Sequence, residues 1–361
     1  MTHLSCVGNM LETLDWLSGA YHVKRGSPST LGPLSKAQAV LYMIAASILL
    51  ESIMVSNFQT AIVGVGQVGG AAAYALILSS LASELLLVDT DIERRNGQVQ
   101  DLRDVAYGCN SGTHIRAATH QEAAKADMIV VTAGSKHTIG QTNLDYTSRN
   151  MSIIREAMDW MKPLRPDTIL LIVANPNDLL TSLACELSDL PPSQVFGSGT
   201  YLDSVRLRGL VAERSGVSAD KIDISVLGVQ GDSEVLAWST ATINGTSIGK
   251  SAAAETLDRE QLAYECKHRS RSIIRAKGAT PFGLGSVVAS ICASVLLDKG
   301  DVHPVSHYQK ELGCCISLPA AIGRHGVVGT LQRPLDSEEE SKIARSSAEL
   351  KEMIEWVHYS Y

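Results

Sequence analysis

Apolar residues along this chain fall into two rhythms. Up to residue 174, short unbroken apolar runs alternate with longer mixed stretches. The runs at 59–63, 85–88, 126–132 and 168–174 read as buried strands, with a short edge strand near 114–118. The stretches at 71–81, 94–107 and about 144–161 carry helical spacing. Unbroken apolar strands need cover on both faces, and strands that alternate with helices predict a parallel, doubly wound α/β sheet. Ligands of such sheets gather at the carboxyl ends of the strands, where Asp89, Gly134 and Asn175 all stand.

Beyond residue 177 the rhythm changes. Helices are expected at 203–216, 257–274 (charged), 281–297 (small and apolar) and 337–357 (amphipathic). Between them lie a strand at 222–228, an alternating stretch at 235–248 and paired strands at 317–331. Asn244-Gly245 is a hairpin signal inside the alternating stretch. The organisation expected is an N-terminal extension (1–56), a nucleotide-binding domain (57–177) and an α+β substrate domain (178–361), with the cleft between the last two.

The extension holds a turn-like segment at 27–33 and an uncharged stretch at 37–50. That stretch falls short of the roughly 20 residues a membrane span needs, and the arm before it is too long for an ordinary signal peptide. It reads as a helix packed on the body or on a partner subunit; a membrane anchor or a misassigned start of the coding sequence are the alternatives. The net charge of −7, spread without a basic block, argues against nucleic acid and anionic membranes as partners. The cysteines number seven and form no C-x-x-C, so neither a disulfide frame nor a zinc site is indicated, and a cytoplasmic location fits best. Asn150-Met-Ser and Asn244-Gly-Thr match glycosylation sequons without a secretory context.

The chemistry begins at Gly64, Gly66 and Gly69, a G-x-G-x-x-G with Gln67 and Val68 inside it, placed between the first strand and the first helix. Gly64 permits the tight turn, Gly66 lets a pyrophosphate approach the backbone, and Gly69 lets helix and strand pack closely. The helix N-terminus adds free N–H groups and partial positive charge. Asp89 follows at the end of the next strand, where a carboxylate accepts both ribose hydroxyls of NAD and repels the extra phosphate of NADP. Thr90 and Asp91 bring no cation to that place. A lone glycine motif is weak, but strand, helix, second strand and spaced acid agree here on NAD.

Further segments carry a resemblance. They are V-T-A-G at 131–134, A-N-P-N-D-L-L-T at 174–181 and F-G-S-G-T-Y-L-D-S-V-R at 196–206, then G-D-S-E at 231–234, A-K-G-A-T at 276–280 and S-L-P-A-A-I-G-R at 317–324. With the glycine motif, and in this order, the stretch 58–357 resembles the L-lactate/malate dehydrogenase family, nearest its lactate dehydrogenase branch. The resemblance implies a Rossmann domain with a catalytic second domain, homodimers or homotetramers, and hydride transfer between NAD and a small 2-hydroxy carboxylic acid. It also implies residue roles. Gly134 and Asn175 would border the nicotinamide, Arg206 would grip the substrate carboxylate, and Thr280 would line the pocket.

Two departures qualify this. The family's general acid–base is a histidine, and Gln230 stands at its position. Glutamine donates a hydrogen bond but exchanges no proton near neutral pH, and losing acid–base help costs roughly 10²–10⁴-fold in rate. The family's mobile-loop arginine is matched by Asn143. Asp203, which in the family orients the histidine, is expected to have lost its partner. His137 occupies the loop position that discriminates substrates in the family; it reads as a surrogate acid, as an unusual side-chain contact, or as an exposed loop residue. Ordinary lactate activity is therefore expected to be weak or absent. The alternatives are a catalytically degenerate NAD-binding protein and a site repurposed for a non-redox step on a carboxylated metabolite.

Overall fold

The computed structural model describes residues 58–135, 142–255 and 257–360. Strand β1 (Gln59–Val63) is buried almost throughout and pairs in parallel on both sides, with β2 (Glu84–Val88) and with β4 (Met128–Val131). β3 (His114–Ala117) adds outside β2, while β5 (Ile169–Ile172) and β6 (Val195–Gly197) extend beyond β4. The order β6-β5-β4-β1-β2-β3 reverses direction between β1 and β4, and that switch point is where a doubly wound sheet opens a ligand crevice.

Successive residues of each strand feed opposite cores, as the period of two requires. Ala61, Val63, Ile129, Val131, Leu170 and Ile172 face α4 (Asn143–Met161) and α5 (Asn177–Leu187). Ile62, Leu85, Leu87, Val130 and Leu171 face α1 (Gln67–Leu78) and α2 (Ile92–Gly108). The short α3 (His120–Ala123) starts on a capping box between Thr119 and Glu122.

The second half of the chain enlarges the same sheet. β12 (Asp301–Gln309) pairs antiparallel with β6, then β13 (Cys314–Gly323) and β14 (Gly326–Thr330) follow, giving nine strands. β12 had no counterpart in the sequence reading, because Pro304 and two histidines hide a run whose centre is buried. The strand expected at 222–228 is in fact two. β7 (Ile222–Asp223) joins the β10 (Thr242–Ile243) and β11 (Thr246–Ser247) hairpin, whereas β8 (Val226–Leu227) pairs with β9 (Val235–Leu236). The chain changes partner at Ile224-Ser225, where the Ser225 carbonyl accepts the Ala237 N–H. Asn244 and Gly245 turn the hairpin with φ of 51° and 74°, as their sequence signal required.

Helices α6 (Tyr201–Ser215) and α7 (Arg259–Lys277) share a third core with β7 and β8 through Leu207, Val211, Ile222, Val226 and Leu262. Helix α8 (Pro281–Leu296) lies so close to α1 that a Cβ on Gly285 would stand 2.7 Å from the Ala71 carbonyl oxygen. Helix α9 (Ser337–Ser360) contributes Ile343 and Leu350 to the first core. Among the described residues no helix is long and apolar enough to cross a membrane. The N-terminal extension and His137 lie outside the described residues.

Candidate active site

The turn from β1 into α1 forms the floor of the crevice. Gly64 has φ of +91°, and a Cβ there would stand 2.5 Å from the Ala133 backbone. A Cβ on Gly69 would collide with the Gly64 carbonyl oxygen and the Thr132 hydroxyl, which hydrogen-bond each other. Gly66 differs. A Cβ added there meets nothing within 4 Å, so this glycine faces open space and not a packing neighbour. It also caps α1 without a side-chain bond, and no acid stands in the first turn. The N–H groups at Gln67 and Val68 therefore keep their positive potential for a ligand.

Asp89 is pinned beside this turn. Its Oδ2 accepts the Val65 N–H at 2.8 Å and its Oδ1 accepts the Asp91 N–H at 2.9 Å. Gly64, Gly66, Asp89, Thr132 and Gly134 line one cavity of about 230 Å³ with His120 and Trp160 at its wall. His120 and Trp160 meet edge to face with ring centroids 4.8 Å apart, and burial holds the His120 pKa below its ordinary value. Neither aromatic residue carried a sequence signal. Arg94 lines the same cavity and pairs with Asp91 at 2.9 Å, a cation near this carboxylate that the sequence reading did not place.

Asn150 ties the neighbouring strand ends together. Its Oδ1 accepts the Ser135 N–H at 2.7 Å, just past Gly134, and its Nδ2 donates to the Asn175 carbonyl at 2.7 Å. Only 1% exposed, Asn150 serves the fold and offers no acceptor to a glycosyl group. The sequence showed it only as a sequon.

Helix α6 carries the polar centre. Asp203 and Arg206 lie one turn apart on its inner face, 5% and 8% exposed, with Arg206 Nη1 donating to Asp203 Oδ1 at 2.7 Å. The same nitrogen reaches the Ser270 hydroxyl of α7. Gln230 Nε2 donates to Asp203 Oδ2 at 3.2 Å. Asp203 has therefore not lost its partner, as the sequence suggested: the glutamine amide and the guanidinium take one carboxylate oxygen each. The Gln230 amide thus keeps a donor in reach of the buried charge, which would be costly to leave bare.

The Gln230 backbone is fixed as firmly as its side chain. Its N–H donates to Asp178 Oδ2 at 2.7 Å, and Asp178 Oδ1 accepts the Ser317 hydroxyl at 3.1 Å. Burial pushes the Asp178 carboxyl up to about 6 against these bonds. Nearby Glu234, 6% exposed, is pushed up to about 8 by burial and then by the charge of Asp203. Asp178 and Glu234 both sit inside segments quoted for the family resemblance, but nothing in their spacing marked them as buried.

Two expected site residues lie further out. Thr280 is half-buried at the N-terminus of α8, and a Cβ on Gly278 two residues before it would stand 3.8 Å from Gln67 Oε1, so this segment reaches the phosphate turn. Asn143 is exposed at the first position of α4, after the capping Thr142. Among the described residues it forms no hydrogen bond to Asp203, Arg206 or Gln230, and the preceding residues 136–141 lie outside those described.

Comparison with known proteins agrees with this geometry. Residues 58–197 match the family model described as lactate/malate dehydrogenase, NAD binding domain, and residues 200–359 match its alpha/beta C-terminal domain. L-lactate dehydrogenase A of Rhizopus oryzae is 39% identical over 298 residues, which cover 82% of this chain and 92% of that protein. L-lactate dehydrogenase of Deinococcus radiodurans is 38% identical, covering 81% and 97%. Among solved structures, minor L-lactate dehydrogenase from Enterococcus mundtii in a ligands-bound form superposes with a TM-score of 0.79 at 31% identity, covering 84% of this chain and 99% of that one. The cofactor is thus NAD, and from the glycine turn to the last helix the chain belongs to the lactate/malate dehydrogenase family.

Proposed function

We propose that this protein is an NAD-dependent oxidoreductase of the L-lactate dehydrogenase type, acting on a small 2-oxo or 2-hydroxy carboxylate, with weak turnover of pyruvate and lactate. The observation that supports this reading is the phosphate turn, with Gly66 open to space, together with Gln230, whose amide donates to Asp203 where the family resemblance implies a proton donor. Bound NAD supplies or takes up the hydride. The α1 N-terminus and Gly66 seat the pyrophosphate, Asp89 orients a ribose, and the neutral His120–Trp160 wall suits an adenine.

Arg206 offers a planar guanidinium whose known contacts use Nη1, leaving Nη2 for a substrate carboxylate. Asn175 and Gly134, fixed by Asn150, border the reacting end, and Thr280 closes the side nearest Gln67. The Gln230 amide can hold the substrate oxygen by a hydrogen bond, yet it releases no proton to a developing alkoxide near neutral pH. That proton must come from solvent, which makes the step slow.

A second reading, an NAD-binding protein without turnover, is favoured by one feature: Asp203 and Arg206 neutralise each other inside the chain. Calorimetry with NADH, together with absorbance assays on a panel of 2-oxo acids, separates the two. Turnover of any panel member supports the oxidoreductase, binding alone supports the second reading, and no saturable NADH binding overturns both. We further propose, from family membership, a cytoplasmic homodimer or homotetramer, which sedimentation would test.

A further inference from the structure

We propose that Cys185 and Cys315 form a peroxide-sensitive dithiol that closes into an intramolecular disulfide and clamps α5 onto β13. Their sulfurs already touch, Sγ to Sγ at 3.6 Å, although 130 residues separate them in the chain. Both are free thiols, Cys185 half-buried and Cys315 fully buried. A disulfide needs the sulfurs at about 2 Å, so closure draws the two sulfurs together from a contact they already make. The elements are held in register close by, since the Cys315 N–H donates to the Ser182 hydroxyl one helical turn before Cys185, at 2.9 Å.

Strand geometry selects the partner. Cys314 and Cys315 are adjacent, so their side chains leave β13 on opposite faces. Cys315 points to α5, whereas the Cys314 sulfur lies 3.9 Å from the Ser347 carbonyl of α9. Cys109 is exposed and elsewhere, and the remaining described thiols are buried. Cys185 is thus the half-buried member of a contacting pair, the arrangement in which a first oxidation is captured by a resolving thiol.

The oxidant is a hydroperoxide. The Cys185 thiolate attacks one peroxide oxygen, the O–O bond breaks, and the departing hydroxide takes up the thiol's proton as water, leaving a sulfenic acid. The Cys315 sulfur then attacks the Cys185 sulfur, the S–O bond breaks, and the leaving hydroxide takes the Cys315 proton. Two thiols and one hydrogen peroxide give one disulfide and two waters, with two electrons passing from sulfur to peroxide. The clamp joins the helix bearing Asp178 to the strand bearing Ser317, the two groups behind the Gln230 backbone.

The test treats the full-length protein with hydrogen peroxide, blocks remaining thiols under denaturing conditions and maps the peptides by mass spectrometry. The expected result is a Cys185–Cys315 cross-link in most chains, loss of two of the seven thiols, a higher Tm and full reversal by dithiothreitol. In Cys315→Ala, a dimedone adduct should appear on Cys185 instead. In Cys185→Ser, no cross-link should form and Cys315 should stay reduced. Melting curves of the reduced variants confirm that each is folded before oxidation. The proposal is overturned if Cys185 stays reduced while Cys109 oxidises, or if Cys185 links to any other cysteine. None of these readouts depends on NAD binding or turnover, so the result stands apart from the functional reading above.

Discussion

On the functional reading proposed above, a proton donor introduced at residue 230 should raise pyruvate turnover. Gln230→His places an imidazole where an amide now lies 3.2 Å from Asp203 Oδ2, so the carboxylate that would orient the ring and favour its charged form is already in place and 5% exposed. The Gln230 N–H to Asp178, at 2.7 Å, fixes the backbone from which the new side chain would extend. General acid–base help contributes roughly 10²–10⁴-fold, which is about 3–5 kcal/mol of barrier. Adding Asn143→Arg supplies a cation from the loop end, worth about 3–4 kcal/mol by analogy with single oxyanion donors. The two act on one transition state and will not add fully, so the double variant should gain at least about 10³-fold in kcat for pyruvate. Steady-state rates with NADH and pyruvate measure this, with NADH affinity by calorimetry as the control. A double variant that binds NADH normally and gains less than about tenfold would show that the barrier does not lie in proton transfer. Brisk pyruvate reduction by the unaltered protein would refute the reasoning from the other side.

Three further outcomes are expected. Gly66→Ala puts a methyl group into open space, so Tm should hold while NADH affinity falls about tenfold or more; Gly69→Ala, which collides with Gly64 and Thr132, should instead cost about 1–3 kcal/mol of stability, read by denaturant melts. Glu234 has a folded pKa of about 8 against an ordinary 4.5, so its proton stabilises the native state below pH 4.5 and that contribution is lost as pH rises toward 8. Glu234→Gln should therefore flatten the fall in stability across that window, on the order of a few kcal/mol for the wild type, in urea titrations at successive pH values. Arg206→Lys should weaken binding of oxamate, a carboxylate probe, in the presence of NADH by about 1.5–3 kcal/mol; unchanged affinity would place the carboxylate elsewhere.

Much of the site was legible because its residues act through local backbone geometry. Gly64, Gly66, Gly69 and Asp89 follow one another along strand, turn, helix and strand, and spacing alone brings them together. The sequence also determined the doubly wound class, since unbroken apolar strands must be covered on both faces, and it determined that residue 230 cannot move a proton, which is a property of the amide itself. Tertiary structure decided the rest. It showed Asp203 partnered, because the 27 residues to Gln230 fold back over α6. It made β12 a core strand despite Pro304, because β6 and β13 supply partners on both sides. It turned Asn150 from a sequon into a brace between strand ends, and it set Cys185 against Cys315 across 130 residues. Spacing along a chain predicts contacts only within a turn or a βα unit; burial and pairing between distant segments exist only once the whole sheet has closed.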